Sequence, residues 1–269
     1  MTFKLVVSDL DGTLLTPEHR VGDYSLRVLR TLRDRGVGLV LASGRHFLDV
    51  RAISEVLGGG TCTISSNGAA VYDGDGAAIE MEAIDADCLE FLTRDPAFDG
   101  VHTNLFRPND WLVERPEPRL LEYHAESGFS YRVVSFRDLD EEPVVKVFFY
   151  GEHEHLLGLE DLVLARCSER VTTTFSLPVT LEVMAKGVSK GAALARECAR
   201  RGLDLAESIA FGDGLNDVEM LRTAGLGVLM GNADPRLMAA LPTHPVTGAN
   251  GDEAVARHLA GLYPKHWFD

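Results

Sequence analysis

The sequence predicts an α/β protein: a doubly wound parallel sheet with a second, α+β domain inserted into it. Three observations carry this. Apolar, β-branched runs alternate with helical stretches from Leu5 to Ile64. That rhythm breaks at about Ala69 and resumes at Val188. The strand-like runs end in short polar clusters, where open parallel sheets place their ligands.

Leu5-Val6-Val7 reads as a buried strand that ends in Ser8-Asp9-Leu10-Asp11-Gly12-Thr13. Asp23 is a candidate N-cap for a helix carrying Leu26, Leu29 and Leu32, with Gly36 as its stop. Val37 to Ala42 is a second strand, ending in Ser43-Gly44-Arg45. A helix with Phe47, Val50, Ile53 and Leu57 closes at Gly58-Gly59-Gly60. Cys62-Thr63-Ile64 then leads into Ser65-Ser66-Asn67-Gly68, and residues 71–79 form a hairpin about a Gly-rich turn. The middle segment mixes helices, at 85–94 and 154–166, with strands at 111–113, 131–134, 144–150 and 179–184, and is rich in proline. Ser189 caps a helix from Lys190 to about Arg201, stopped by Gly202. The strand 208–211 ends in Gly212-Asp213-Gly214-Leu215-Asn216-Asp217. A short helix, a strand at 226–230 and a last helix from near Asp252 complete the chain. The expected division is 1–83 and 188–269 for the core, with 84–187 inserted.

At 269 residues, with 45% hydrophobic and 25% charged content, the chain can bury a full core. A net charge of −15 argues against nucleic acid as the main partner, because a phosphate backbone wants a basic face. The N-terminus has no signal-peptide pattern, and no apolar run approaches the roughly 18 residues of a membrane span. Cys62, Cys88, Cys167 and Cys198 are scattered, without a C-x-x-C pair, and read as reduced thiols. Together these place the protein in the cytoplasm, with no membrane partner; the oligomeric state is left open.

In an extended chain residues i and i+2 face one way, so Asp9 and Asp11 both reach one small site. Two acids so close repel unless a cation lies between them, and a hard, oxygen-seeking ion such as Mg²⁺ suits them. Ser43-Gly44, Ser66-Asn67 and Asp213/Asn216/Asp217 lie at the corresponding ends of other strands. Lys190, at a helix start, adds positive charge where an anion already binds well. Each cluster has a plainer reading as well: Ser43-Gly44 as a strand-to-helix cap, Lys190 as a solvated lysine, Asp213-Gly214 as a turn, Asp217 as an N-cap.

In this order, D-x-D-G-T, S-G-R, S-K-G and G-D-G-x-N-D resemble the haloacid dehalogenase (HAD) superfamily of phosphotransferases. The large insert after the third strand is similar to its Cof-type branch. The resemblance implies a Rossmann-like core under an α+β cap that sets specificity. It further implies Asp9 as the nucleophile, forming an aspartyl-phosphate, and Asp11 as general acid and then base, with its pKa raised. Ser43, the Gly44 amide, Lys190 and Asn216 would hold the phosphoryl group. Mg²⁺ would sit between Asp9, the Asp11 carbonyl and Asp213, with Asp217 in support.

Arg45 and Asn67 are possible substrate contacts, and Arg45 equally suits a surface ion pair. Glu152-His153-Glu154-His155 reads as a polar helix start, since its two histidines would point to different faces. Phe106 and Trp111 suit the cap core or its substrate face, Lys186-Gly187 a hinge, and residues 241–251 a surface loop. The expected function is a Mg²⁺-dependent phosphatase acting on a small phosphorylated metabolite, a sugar phosphate or similar phosphomonoester. A phosphomutase or phosphotransferase, and a phospho-acceptor without turnover, are the alternatives.

Overall fold

The computed structural model describes residues 3–124 and 127–268. Leu5–Ser8 forms β1, buried along its whole length because helices cover both faces of the sheet it occupies. The chain then makes one wide turn, with Leu15 N–H donating to the Leu10 carbonyl at 2.9 Å and Gly12 at φ +74°. Helix α1 (Asp23–Asp34) buries Val28, Leu29 and Leu32. Asp23 is its first residue rather than its cap; the Glu253 carboxylate accepts the Ser25 N–H at 2.6 Å and does that work from the far end of the chain.

Strand β2 (Gly38–Ala42) leads to α2 (Phe47–Val56), and β3 (Cys62–Ser65) ends in three successive left-handed residues, Ser66, Asn67 and Gly68. A Cβ on Gly68 would overlap the Ser189 carbonyl, so glycine is required there twice over. The predicted hairpin is β4 (Ala70–Tyr72) and β5 (Ala78–Met81).

The inserted segment contains α3 (Ala86–Arg94), β6 (His102–Phe106), β7 (Trp111–Val113), α4 (Pro118–Leu121), β8 (Arg132–Val133), β9 (Lys146–Tyr150), α5 (His153–Cys167), β10 (Val171–Leu177) and β11 (Thr180–Ala185). Its strands form a six-stranded sheet in the order β10-β11-β9-β6-β7-β8. Side chains alternate across it. Val147, Phe149, Leu181 and Val183 pack under α3 and α5, while Phe106, Trp111, Phe148 and Met184 form a separate cluster with Ala69, the residue just before β4. The second face of this sheet therefore lies on the core.

The core resumes with α6 (Lys190–Arg201), capped by Ser189 Oγ and closed by Gly202 at φ +67°. Strand β12 (Ser208–Gly212), α7 (Val218–Thr223), β13 (Leu226–Leu229), α8 (Pro235–Ala240) and α9 (Ala254–Leu262) follow. The seven-stranded sheet has the order β13-β12-β1-β2-β3-β4-β5. Its first five strands are parallel and the β4–β5 hairpin extends it antiparallel. One face packs on α1, α2 and α9, the other on α6, α7 and α8. The fold is thus the doubly wound α/β core with an inserted α+β unit. No helix among the described residues is long and apolar enough to cross a membrane.

The 241–251 segment is more than a surface loop. Its Pro245 carbonyl accepts the Leu229 N–H, and Asn250 Nδ2 donates to the Leu15 carbonyl at 2.8 Å. Asn232 Nδ2 donates to the Gly12 carbonyl at 2.8 Å, so two asparagines brace the turn after β1.

Candidate active site

Asp9 stands at the end of β1, almost fully buried. Lys190, the first residue of α6, has a wholly buried side chain whose Nζ lies 2.6 Å from Asp9 Oδ1 and 2.7 Å from Asp217 Oδ1. Asp217 Oδ2 accepts the N–H groups of Asp213 and Gly214, both at 3.0 Å, and so fixes the loop after β12. Asp213 Oδ1 accepts the Thr13 hydroxyl at 2.8 Å. A Cβ on Gly12 would collide with the Asp213 carboxylate, which is why the turn after β1 can pass so close.

Three carboxylates thus crowd around one ammonium, which bonds two of them. Burial, and then the Asp217 charge, push Asp9 well above the usual carboxylate range. The same two causes raise Asp213 to about 6. Oxygens of Asp9, Asp213 and Asp217 lie within 4.8 Å of one another. Excess negative charge and an all-oxygen donor set fit a hard divalent ion such as Mg²⁺. Asp217 has both its oxygens engaged by Lys190 and the loop amides, which leaves Asp9 and Asp213 as the carboxylates suited to the ion. The Asp11 side chain is not in this cluster.

Asp11 turns instead to Arg45. Arg45 Nη2 meets Asp11 Oδ1 at 2.6 Å and Nε meets Oδ2 at 2.7 Å, while Nη1 reaches Asp49 Oδ2 at 2.9 Å. Desolvation would raise the Asp11 pKa, but the guanidinium outweighs it and holds the carboxyl below its usual value. The expectation of a raised Asp11 pKa is therefore not met. Arg45 itself is a largely buried clamp between two acids, neither a surface ion pair nor a side chain free for substrate.

At the end of β2, Ser43 is buried and its carbonyl accepts the Asn67 N–H at 3.0 Å. A trans peptide then aims the Gly44 N–H the opposite way. Gly44 leaves only 3.0 Å between a Cβ and Asn67 Oδ1. Asn67 does not face substrate: its Nδ2 donates to Glu182 Oε2 at 2.6 Å and its Oδ1 accepts from Asn216 Nδ2 at 3.1 Å. Asn216 lines the cavity beside Gly214.

The cavity over these groups measures about 400 Å³. Phe106, Trp111, Phe148 and Tyr150 of the inserted sheet form its aromatic wall, with His124 beside them. Phe106 and Trp111 serve both readings, being fully buried and yet part of this wall.

Five further polar residues meet here that sequence reasoning did not single out: His46, Asp49, His124, Lys146 and Glu182. His46 Nδ1 accepts the Leu48 N–H at 3.1 Å as the cap of α2, so its Nε2–H donates to the Arg107 carbonyl at 2.6 Å. Asp49 Oδ2 accepts from His124 Nδ1 at 3.0 Å. Lys146 Nζ reaches the Gly44 carbonyl and Glu182 Oε1, both at 2.6 Å. His153 and His155 lie at the exposed start of α5, away from the acidic group.

A family profile described as haloacid dehalogenase-like hydrolase matches residues 6–259. A protein of Serratia proteamaculans named HMP-PP phosphatase is 39% identical over 98% of this chain and 95% of its own. One of the same name from an Enterobacter species is 36% identical over 99% and 96%. A solved haloacid dehalogenase-like hydrolase from B. subtilis superposes with a TM-score of 0.87 at 28% identity, over 97% of this chain and 100% of that one.

Proposed function

Because the chain belongs to the haloacid dehalogenase-like hydrolases, in their Cof-type branch, and is a phosphatase of that kind, we propose that it hydrolyses a small phosphorylated metabolite with Mg²⁺ through a phosphorylated Asp9. The observation that carries this is the Lys190 ammonium seated between Asp9 and Asp217, with Asp213 beside them. Lys190 occupies Asp9 Oδ1, which leaves Oδ2 to attack phosphorus. The new O–P bond forms as the bond to the leaving oxygen breaks, and Asp11 gives that oxygen its proton. Water then attacks the phosphorylated Asp9, returns a proton to Asp11, and inorganic phosphate leaves.

Mg²⁺, held by the Asp9 and Asp213 carboxylates and the Asp11 carbonyl, would offset the negative charge that the phosphoryl group brings. Lys190 does the same from the other side. Ser43, the Gly44 amide and Asn216 supply donors to the phosphoryl oxygens. An incoming phosphate brings like charge beside Asp11 and raises its pKa against the hold of Arg45, so that Asp11 can carry its proton.

Residues 84–187 act as the cap and residues 1–83 with 188–269 as the catalytic core; the cap shields the site from bulk water. The aromatic wall favours a leaving group with a flat apolar part over a plain sugar. HMP-PP, named in two relatives, therefore comes first in a substrate panel. Phosphate release with Mg²⁺ tests the reading: wild type should release one phosphate per substrate consumed, and Asp9→Asn should release none. Substrate loss without matching phosphate would point to transfer, and an unchanged rate in Asp9→Asn would remove the nucleophile.

A further inference from the structure

We infer that Lys146 and Glu182 are positioning residues that make the phosphate-binding side of the site depend on a seated cap. This rests on the phosphatase reading above. Strand alternation puts Lys146 and Glu182 on the core-facing side of the inserted sheet, opposite Val147 and Val183. Their side chains are only 3% and 4% exposed. Lys146 lies under two rings, with Nζ 4.6 Å from the centre of Phe106 and 5.3 Å from that of Phe148.

Neither charge is spent wholly on the other. Lys146 gives one hydrogen bond to Glu182 and another to the Gly44 carbonyl, both at 2.6 Å. Glu182 accepts one from Lys146 and another from Asn67, and Asn67 in turn accepts from Asn216. The chain Gly44, Lys146, Glu182, Asn67, Asn216 begins and ends on groups assigned to the phosphoryl oxygens, and its middle belongs to the cap. A buried ion pair is a poor source of stability when apolar residues of the same size would serve. Here each member also orients a core group, which an apolar pair would not do.

Asn67 adds a second reason. It sits between Ser66 and Gly68 in a run of positive φ, at +48°, +57° and +101°. Asn takes such a conformation more readily than other side chains, but Ser66 beside it does not, and the run holds only where its surroundings enforce it. Both ends of the Asn67 amide are committed, one of them to the cap. With the cap lifted, the Gly44 carbonyl and Asn67 Nδ2 lose their charged partners together. Chemistry is then confined to the closed state, when water is excluded.

The test is the double variant Lys146→Met/Glu182→Gln, which leaves no unpaired buried charge, beside the isosteric Glu182→Gln alone. Acetyl phosphate, whose leaving group is too small to reach the cap wall, is compared with p-nitrophenyl phosphate. The expected result is a fall in kcat on the order of 100-fold for both substrates, with KM little changed. Inhibition by vanadate, which mimics the five-coordinate phosphorus of the transition state, should weaken in parallel while that by inorganic phosphate stays near wild type, and far-UV circular dichroism should be unchanged. Loss with the larger substrate alone would overturn the inference and make the pair a reader of the leaving group. Wild-type rates for both substrates, in the double variant or in a folded Glu182→Gln, would overturn it as well. A wild type that turns over neither substrate would instead sink the phosphatase reading.

Discussion

Arg45 grips both carboxylate oxygens of Asp11, at 2.6 and 2.7 Å, through a planar fork that a lysine cannot reproduce. Arg45→Lys keeps the charge opposite buried Asp49 and so should leave the melting temperature near that of wild type. It loses one charged hydrogen bond, with a value of roughly 1.5–3 kcal/mol. We expect kcat/KM to fall by about one to two orders of magnitude on that account. Steady-state kinetics beside a thermal melt measure both.

His46 makes stability depend on pH. Burial is the main cause that lowers its pKa from 6.5 to about 4. Between those values the unfolded chain holds the extra proton, so acidification favours unfolding. Stability is full above about pH 6.5 and falls as the pH drops towards 4, by an amount on the order of 3 kcal/mol. His46→Asn keeps a good helix cap and removes the titration. Urea unfolding from pH 7 to pH 4.5 should show a shallower decline in that variant.

Metal binding should be visible without turnover. Mg²⁺ at about 100 times its dissociation constant should stabilise the fold by about 2.7 kcal/mol. Asp213→Asn retains an acceptor for the Thr13 hydroxyl and removes one of three crowded carboxylates. The metal-free variant should melt no lower than wild type, and its Mg²⁺-dependent shift should vanish. Differential scanning calorimetry with and without the ion decides this.

Gly12→Ala combines a left-handed backbone with a collision against the Asp213 carboxylate. A displacement of about 1 Å at a reacting centre costs activity on the order of 100-fold. We expect that loss from Gly12→Ala, with secondary structure retained by circular dichroism. Gly36→Ala, in open space at a helix end, should cost a little stability and no activity.

The core was the most legible part of the chain. β1, β2, β3, β12 and β13 are apolar runs because they are buried on both faces, and each closes on a turn residue. β6 and β10 carry no such run: His-Thr-Asn and Thr-Thr-Thr are polar, and only their place in a sheet makes them strands. Asp9, Lys190, Asp213 and Asp217 are close in space as their strand and helix ends predict. The partners of Arg45 and Asn67 were only partly legible: Asp49 lies four residues from Arg45, but Asp11 reaches Arg45 from another strand end and Glu182 reaches Asn67 from the inserted sheet, with nothing local to announce either. Lys146 and Glu182 did leave a trace, each being a single charge inside an apolar strand run, Val-Val-Lys-Val-Phe-Phe and Leu-Glu-Val-Met. Alternation alone would have turned both toward one side.

β1 lies between β2, some 30 residues on, and β12, some 200 residues on. A nascent chain leaving the ribosome can pair one edge of β1 early. The other edge stays open until Ser208–Gly212 has been made, well after the inserted sheet has emerged. Such distant pairing folds slowly and leaves an adhesive strand bare meanwhile. Truncation before residue 208 should therefore give insoluble protein, and chaperone demand during synthesis should track translation of the last quarter of the message.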